Sequence, residues 1–291
     1  MPLWDDIGAA IEAVTGTRAQ IRQQGAVGGG CINQAMRVQY GAASYFVKLN
    51  TAGKADMFAA EACGLQELGS SNTLRVPEPV CWGDNGQSAW LVMENLQFGG
   101  RGDQAALGKG LAAMHRITRQ QFGWTQDNTI GSTPQSNTLT DDWTEFWREQ
   151  RLRFQLELAA RHGYGGRLQS QGEKLLEEFA KLFADYAPQA SLLHGDLWSG
   201  NYACTDAGEP AIFDPAVYYG DREADLAMTE LFGGFGADFY AAYRAHYPLD
   251  PGYAVRRTLY NVYHILNHLN MFGGGYHAQA QGMIDALLAE L

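Results

Sequence analysis

Along residues 3 to 15, Leu3, Ile7, Ala10, Ile11 and Val14 recur at helical spacing, predicting a short amphipathic capping helix. Strand-like runs follow at Gln34 to Tyr40 and Ser44 to Leu49, turned through Gly41-Ala42-Ala43. From Lys54 to Leu68 the pattern is helical again, with Met57, Glu61, Gly64, Leu65 and Leu68 on one face. A proline-stiffened segment, Val76 to Val80, enters a strand pair at Val80 to Gly83 and Ser88 to Glu94, joined through Asp84-Asn85-Gly86. Beyond Asn95 the periodicity is that of helices: Leu107, Leu111, Met114 and Ile117 within 104 to 120, Trp143, Phe146, Trp147 and Phe154 within Asp141 to His162, and a polar helix at Ser170 to Tyr186. Between the first two lies Asp127 to Thr140, polar throughout and expected to be a long loop beside the substrate. The shift in character predicts an α+β chain of two lobes, a small β-rich one at 1–95 and a larger helical one at 96–291.

Several polar residues interrupt these patterns. Glu61 falls inside an apolar helical stripe, and a buried carboxylate requires a partner. Lys48, in the apolar strand Tyr45-Phe46-Val47-Lys48-Leu49, is the natural one. His194-Gly195-Asp196-Leu197-Trp198-Ser199-Gly200-Asn201 has the H-x-D-L-x-x-x-N spacing of a kinase catalytic loop, in which the aspartate accepts the proton of an attacking hydroxyl and the asparagine holds a metal ion. Downstream, Asp214 ends the apolar run Ala211-Ile212-Phe213, where kinases place their second magnesium ligand. Oxygen ligands from Asn201 and Asp214, with phosphates and water, suit Mg2+. The sequence there is Asp-Pro-Ala rather than Asp-Phe-Gly, which argues against a protein kinase.

The glycine-rich stretch Gly28-Gly29-Gly30 lets main-chain N–H groups approach phosphate oxygens, although triple glycine is as often a flexible turn. Met93, Glu94, Asn95 and Leu96 stand where a kinase hinge would offer main-chain groups to adenine. In Gly220 to Ala227, Asp225 is expected to brace the catalytic loop by accepting backbone N–H bonds, whereas Asp221 and Glu223 could attract a cationic substrate. Arg148, Arg151 and Arg153 read as a solvated face and His115 as a structural histidine.

Composition narrows the classes. Twenty-one basic against 32 acidic residues give a formal charge of −11, which argues against a nucleic-acid partner. No run of 18 apolar residues occurs, so a membrane partner is not expected and the cytoplasm is the expected location. Cys31, Cys63, Cys81 and Cys204 are scattered and suggest neither a zinc site nor a disulfide framework.

Gly28 to Asn33, Val92 to Leu96, His194 to Asn201 with its Trp198, Phe213 to Ala216 and Gly220 to Ala227 resemble, in order and spacing, the motifs of the fructosamine kinases, or ketosamine 3-kinases. Leu259 to Asn270 also resembles that family's closing helix, with Tyr260, His264 and Asn267 as a polar stripe for a sugar or for buried structural contacts. The resemblance implies a bilobal protein-kinase-like fold and transfer of the ATP γ-phosphoryl group to the 3-hydroxyl of a ribulosamine or fructosamine. Asp196 would be the base, Asn201 and Asp214 the magnesium ligands, and Lys48 fixed by Glu61 the phosphate anchor, with Trp198 packing against the sugar. The phosphate becomes a leaving group after enolisation, so the product falls apart and frees the amine. The substrate would be a small ketosamine or a glycated protein. An aminoglycoside- or choline-type phosphotransferase is the alternative, and a nucleotide-binding pseudokinase a third reading, against which the intact Lys48, Glu61, Asp196, Asn201 and Asp214 speak. The chain is expected to be a monomer, or a redox-linked dimer if Cys31, on the lip of the glycine loop, is oxidised.

Overall fold

The computed structural model describes residues 2–28 and 33–291, so Gly29, Gly30 and Cys31, with the redox reading of Cys31, lie outside the described residues. In chain order the elements are α1 (Pro2–Thr15), β1 (Ile21–Val27), β2 (Gln34–Tyr40), β3 (Ala43–Thr51), α2 (Ala55–Ser70), β4 (Pro79–Asp84), β5 (Ser88–Glu94), α3 (Gln104–Met114), β6 (Thr118–Arg119), β7 (Asn128–Ile130) and β8 (Thr133–Gln135). There follow α4 (Trp143–Trp147), α5 (Phe154–Arg161), α6 (Arg167–Glu178), β9 (Ala190–Leu193), β10 (Tyr202–Cys204), β11 (Pro210–Ile212), β12 (Tyr218–Gly220), α7 (Arg222–Leu231), α8 (Ala237–His246), α9 (Tyr253–Phe272) and α10 (Tyr276–Glu290). They form two compact units, Met1–Asp103 with Ala203–Pro215, and Gln104–Tyr202 with Ala216–Leu291.

The first unit is built on an antiparallel sheet ordered β1-β2-β3-β5-β4. Ile7 and Ile11 of α1 are buried against Val38, Tyr40, Val47, Trp90 and Val92, whereas Val14, expected on the same stripe, is exposed. α2 buries Met57, Phe58, Leu65 and Leu68 and packs on β4 and β5. The edge strand β1 has no counterpart in the sequence reading, because Arg22, Gln23 and Gln24 are exposed and leave no apolar alternation to detect. Residues 97–100 stay with this unit for a physical reason. The Gln97 carbonyl accepts from Asp206 N–H at 3.0 Å, Gly99 N–H donates to the Cys204 carbonyl at 3.2 Å, and a Cβ on Gly100 would lie 2.1 Å from the Thr205 carbonyl oxygen.

In the second unit α3 stops at Met114, earlier than the periodicity predicts, because the chain turns to add β6 to a three-stranded sheet ordered β12-β9-β6. The polar stretch expected to be a loop contains the hairpin β7-β8, and Thr133, Gln135 and Asn137 within it are buried. Between α4 and α5 the helix widens into a π turn, Arg148–Arg153. Arg151, expected on a solvated face, is fully buried there. Its guanidinium lies 4.5 Å from the Phe146 ring centre and 4.3 Å from that of Tyr218, and donates to the Ser136 carbonyl and to Asn137 Oδ1. Aromatic faces and carbonyl oxygens thus replace the carboxylate a buried cation usually needs, each ring contributing on the order of 1–2 kcal/mol when desolvated. α9 is buried on almost every side, and α10 seals this unit with Ala280, Ile284 and Leu287.

Candidate active site

In the first unit, register decides where Lys48 points. Val47 and Leu49 pack into the core under α1, so by strand alternation Lys48 faces the opposite side of β3, toward α2. There its Nζ donates to Glu61 Oε1 and to Asp214 Oδ1, each at 2.5 Å, pairing the residues expected to pair and adding Asp214. Burial alone would lower the lysine, but Asp214 and Glu61 hold its ammonium well above the ordinary lysine range. Burial pushes the Glu61 carboxyl up; Lys48 draws it down and Asp214 pushes it up again. Two carboxylates share one ammonium, so the cluster carries an excess negative charge. Asp214 has φ of 57°, a left-handed conformation costly for a residue with a Cβ. Such strain persists where the surroundings over-determine it, which is typical of a functional position.

In the second unit the catalytic loop leaves β9 and is held by its backbone. His194 N–H donates to Asp225 Oδ2 at 2.7 Å and Gly195 N–H to Asp225 Oδ1 at 2.8 Å, the bracing role expected of Asp225. Gly195 has φ of 82°, and a Cβ there would lie 2.0 Å from the Ala216 carbonyl oxygen, so no other residue fits. Asn201 Nδ2 donates to the Asp196 carbonyl at 2.8 Å and to its Oδ2 at 3.2 Å, tying the asparagine to the aspartate five residues before it.

Behind Asp225 stands His115, a residue sequence reading left as structural. Its Nε2 lies 3.2 Å from Asp225 Oδ2 and its Nδ1 2.8 Å from the Tyr243 hydroxyl, which accepts from Arg222 Nη1 at 3.1 Å. Burial, only partly offset by Asp225, lowers the histidine, so it is neutral. With Nε2 donating to the carboxylate, Nδ1 accepts from Tyr243. Burial pushes the Asp225 carboxyl up, but the His115 hydrogen bond and the charges and loop amides around it outweigh burial and hold it below the usual range.

The remaining expected residues fare differently. Met93 is buried behind the strand end, and Asn95 Nδ2 donates to Ser44 Oγ at 2.9 Å. Glu94 pairs through its side chain with Arg75, and its N–H donates to the Glu78 carbonyl at 2.8 Å. Its own carbonyl and the main chain of Leu96 remain the candidates for an adenine edge. Gly28 is exposed at the end of β1. Asp221 and Glu223 are corrected: both are completely buried and cannot meet a substrate. Asp221 accepts from the Tyr260 hydroxyl at 2.5 Å, the Tyr186 hydroxyl at 2.9 Å and the Glu223 N–H at 3.0 Å, capping α7. Glu223 receives two hydrogen bonds from Arg256, at 2.8 and 3.1 Å, so the cation it attracts belongs to this chain. Asn267 is also corrected to a buried structural contact, accepting from Gln155 Nε2 at 3.2 Å. His264 is buried as well, yet its Nδ1 has no hydrogen-bond partner, and burial lowers it to about 3.

Trp198 is 37% exposed, and its ring covers Gly200 so closely that a Cβ there would lie 2.3 Å away. It meets Phe232 edge-on at 6.3 Å; Phe232 lies 4.7 Å from His268, which packs against Phe272 and Tyr276. His268 Nδ1 lies 2.8 Å from the His264 carbonyl and must donate to it, so Nε2 is the acceptor end of the ring. Phe232 and His268 were missed because loop and helix bring them beside Trp198 from distant parts of the chain. The phenylalanine in Leu231-Phe232-Gly233-Gly234, a large apolar residue before two flexible glycines, was the available signal.

Among the described residues no group of three or more His, Cys, Asp or Glu can hold a metal, and no helix is long and apolar enough to cross a membrane. The family model described as "Fructosamine kinase" matches residues 3–290. The chain is 48% identical over 289 residues to a probable ketoamine kinase of Synechocystis, covering 98% of this chain and 97% of that one. It is 48% identical over 282 residues to a chloroplastic protein-ribulosamine 3-kinase of Arabidopsis thaliana, covering 95% and 86%. A crystal structure assigned to the fructosamine-3-kinases, from Haemophilus somnus, superposes with a TM-score of 0.89 at 27% identity over 98% and 99% of the two chains. With its antiparallel sheet and helical remainder, its braced H-G-D loop and this full-length match, the chain has the protein-kinase-like fold and belongs to the fructosamine kinase family of ATP-dependent kinases.

Proposed function

We propose that this chain phosphorylates the 3-hydroxyl of ketosamines, ribulosamine or fructosamine adducts of amines or protein lysines, and so starts their deglycation. The observation that carries the reading is the Asp196–Asn201 pair on a loop clamped by Asp225, in a chain with close relatives named for ketoamine and ribulosamine substrates. Asp196 accepts the proton of the acceptor hydroxyl and orients its oxygen for attack on the γ-phosphorus. Lys48, fixed by Glu61, holds the nucleotide phosphates. Asp214 and the Asn201 oxygen are the residues that would hold Mg2+. The donor set fits a hard cation: oxygen atoms only, with an excess negative charge around Asp214. When bound, magnesium neutralises charge on the phosphates and needs phosphate and water to complete its shell.

The acceptor side uses Trp198, Phe232 and His268. Aromatic faces and a neutral imidazole acceptor suit the secondary ammonium of a ketosamine. Phosphate on the carbon next to the keto group leaves once the sugar has enolised toward its amine-bearing carbon, and hydrolysis then frees the amine. The test is ADP release with Mg-ATP against ribulosyl-lysine, fructosyl-lysine, kanamycin and choline, with NMR to locate the new phosphate. Ketosamine turnover at the third carbon, lost in Asp196→Asn, is the expected result. Turnover of kanamycin or choline alone would move the chain to a sister activity, and ATP binding without turnover would leave a pseudokinase.

A further inference from the structure

We infer that Gln135 is a positioning residue for phosphoryl transfer, acting through the Ala216 carbonyl on the catalytic loop. Gln135 ends β8 in the stretch whose polar composition predicts a loop, yet only 1% of it is exposed. Its Oε1 accepts from the Tyr263 hydroxyl of α9 at 2.6 Å. That bond fixes which way the amide faces and aims Nε2 at two acceptors, Asn128 Oδ1 at 2.8 Å and the Ala216 carbonyl at 3.2 Å. Asn128 Nδ2 in turn donates to the next carbonyl, that of Val217, at 2.8 Å.

Ala216 matters because of what it touches. Its N–H donates to the His194 carbonyl at 2.8 Å, and its carbonyl is the atom that forbids a side chain on Gly195. One residue, Ala216, therefore touches both residues immediately before Asp196, through its N–H and through its carbonyl, and Gln135 holds that carbonyl. Tyr263 is the other end of the clamp. Burial raises its hydroxyl to about 12, with Arg151 drawing it down and Asp196 pushing it up, so it remains a donor to Gln135 and lies within electrostatic reach of the base. Asp225 braces the loop through the His194 and Gly195 N–H groups; Gln135 braces it through Ala216, whose carbonyl it holds against Gly195 and whose N–H donates to the His194 carbonyl. With both in place the peptide leading into Asp196 cannot rotate, and small displacements of a catalytic group are costly in rate.

This inference rests on the kinase reading and is tested so that the two can fail separately. Gln135→Met removes the amide at similar volume. It should lower kcat for a ketosamine about 10- to 100-fold, with KM for ketosamine and ATP within about threefold. Hydrogen exchange should speed up at the amides of 194–201. Gln135→Glu gives the sharper readout. Its carboxylate still accepts from Tyr263 but cannot donate to Ala216, whereas the protonated acid can. The kcat ratio of Gln135→Glu to wild type should therefore rise as pH falls from about 8 to about 5.5, since burial and Asp196 raise the new carboxyl while the Arg151 guanidinium, 5.8 Å from the Tyr263 ring centre, opposes them. A ratio flat with pH, or a folded Gln135→Met enzyme with kcat within threefold of wild type, overturns the inference; so does a loss confined to KM, which would make Gln135 a substrate contact. If wild type turns over no ketosamine, the kinase reading fails, and unchanged exchange at 194–201 in Gln135→Met would still overturn the clamp.

Discussion

Glu61 in one unit, largely buried, and Asp225 in the other, fully buried, are carboxylates beside proposed catalytic groups, and they are stabilised in opposite ways. Glu61 is met by a full charge, Lys48, which it shares with Asp214. Asp225 is met chiefly by hydrogen bonds, from two backbone N–H groups and from His115. The consequence runs against intuition. Glu61 is pushed up by burial and by its like-charged neighbour, whereas hydrogen bonds keep Asp225 below the ordinary range. Oriented donors stabilise an anion without importing a countercharge, and they leave a rigid loop. A shared ammonium leaves a charge imbalance that suits a cation and phosphates arriving together.

The comparison can be broken first at the residue that Asp225 serves. Asp196→Asn keeps the side chain's size but removes the proposed proton acceptor, and kcat should fall by about 10³- to 10⁴-fold with ATP affinity nearly unchanged. Single-turnover phosphate transfer alongside nucleotide titration would check it. At Glu61 the loss is expected to be smaller and of a different kind. Lys48→Met leaves two carboxylates without their cation, so kcat/KM should drop about 10²- to 10³-fold, with ATP KM raised. A Lys48→Met enzyme with unchanged ATP KM would sink the phosphate-anchor role. Third comes His115→Phe, which deletes the neutral donor to Asp225 but leaves both backbone donors in place. A loss of about 1–3 kcal/mol in unfolding free energy is expected from the buried Asp225 and Tyr243 groups left unpaired, with kcat falling about tenfold or less. Urea titration and steady-state kinetics separate the two effects.

These contrasts also show why some of the molecule was legible in the sequence and some was not. Lys48 and Glu61 were readable because each breaks an apolar pattern, and the element carrying each is regular enough to say which way it points. The H-G-D loop was readable from spacing, and Asp225 followed as its brace. His115 could not be assigned because its partners, Asp225 and Tyr243, lie more than 100 residues away and no local pattern records that distance. Asp221 and Glu223 misled for the same reason: an acidic run reads as solvated until Tyr186, Tyr260 and Arg256 are folded over it. The hairpin around Gln135 was hidden by its composition, since its polar side chains are buried and paired with one another and with main chain rather than with water.

The smallest expected effect tests whether the neutral-donor arrangement extends to α9. His264 is buried like His115, but its Nδ1 lacks a partner, and burial lowers it to about 3 from an ordinary value near 6.5. Below about pH 6.5 the unfolded chain takes up a proton that the folded chain refuses until about pH 3. Stability from this group is thus complete above about 6.5 and is lost as pH falls through that window. His264→Leu removes the linkage and the unpaired nitrogen together, so its melting temperature should fall less than that of wild type between about pH 7 and about pH 5, while at pH 7 the two should lie within a few degrees. If the pH slopes coincide, then His264 already has a proton partner in solution, and α9 holds its histidine as the catalytic loop's brace holds His115.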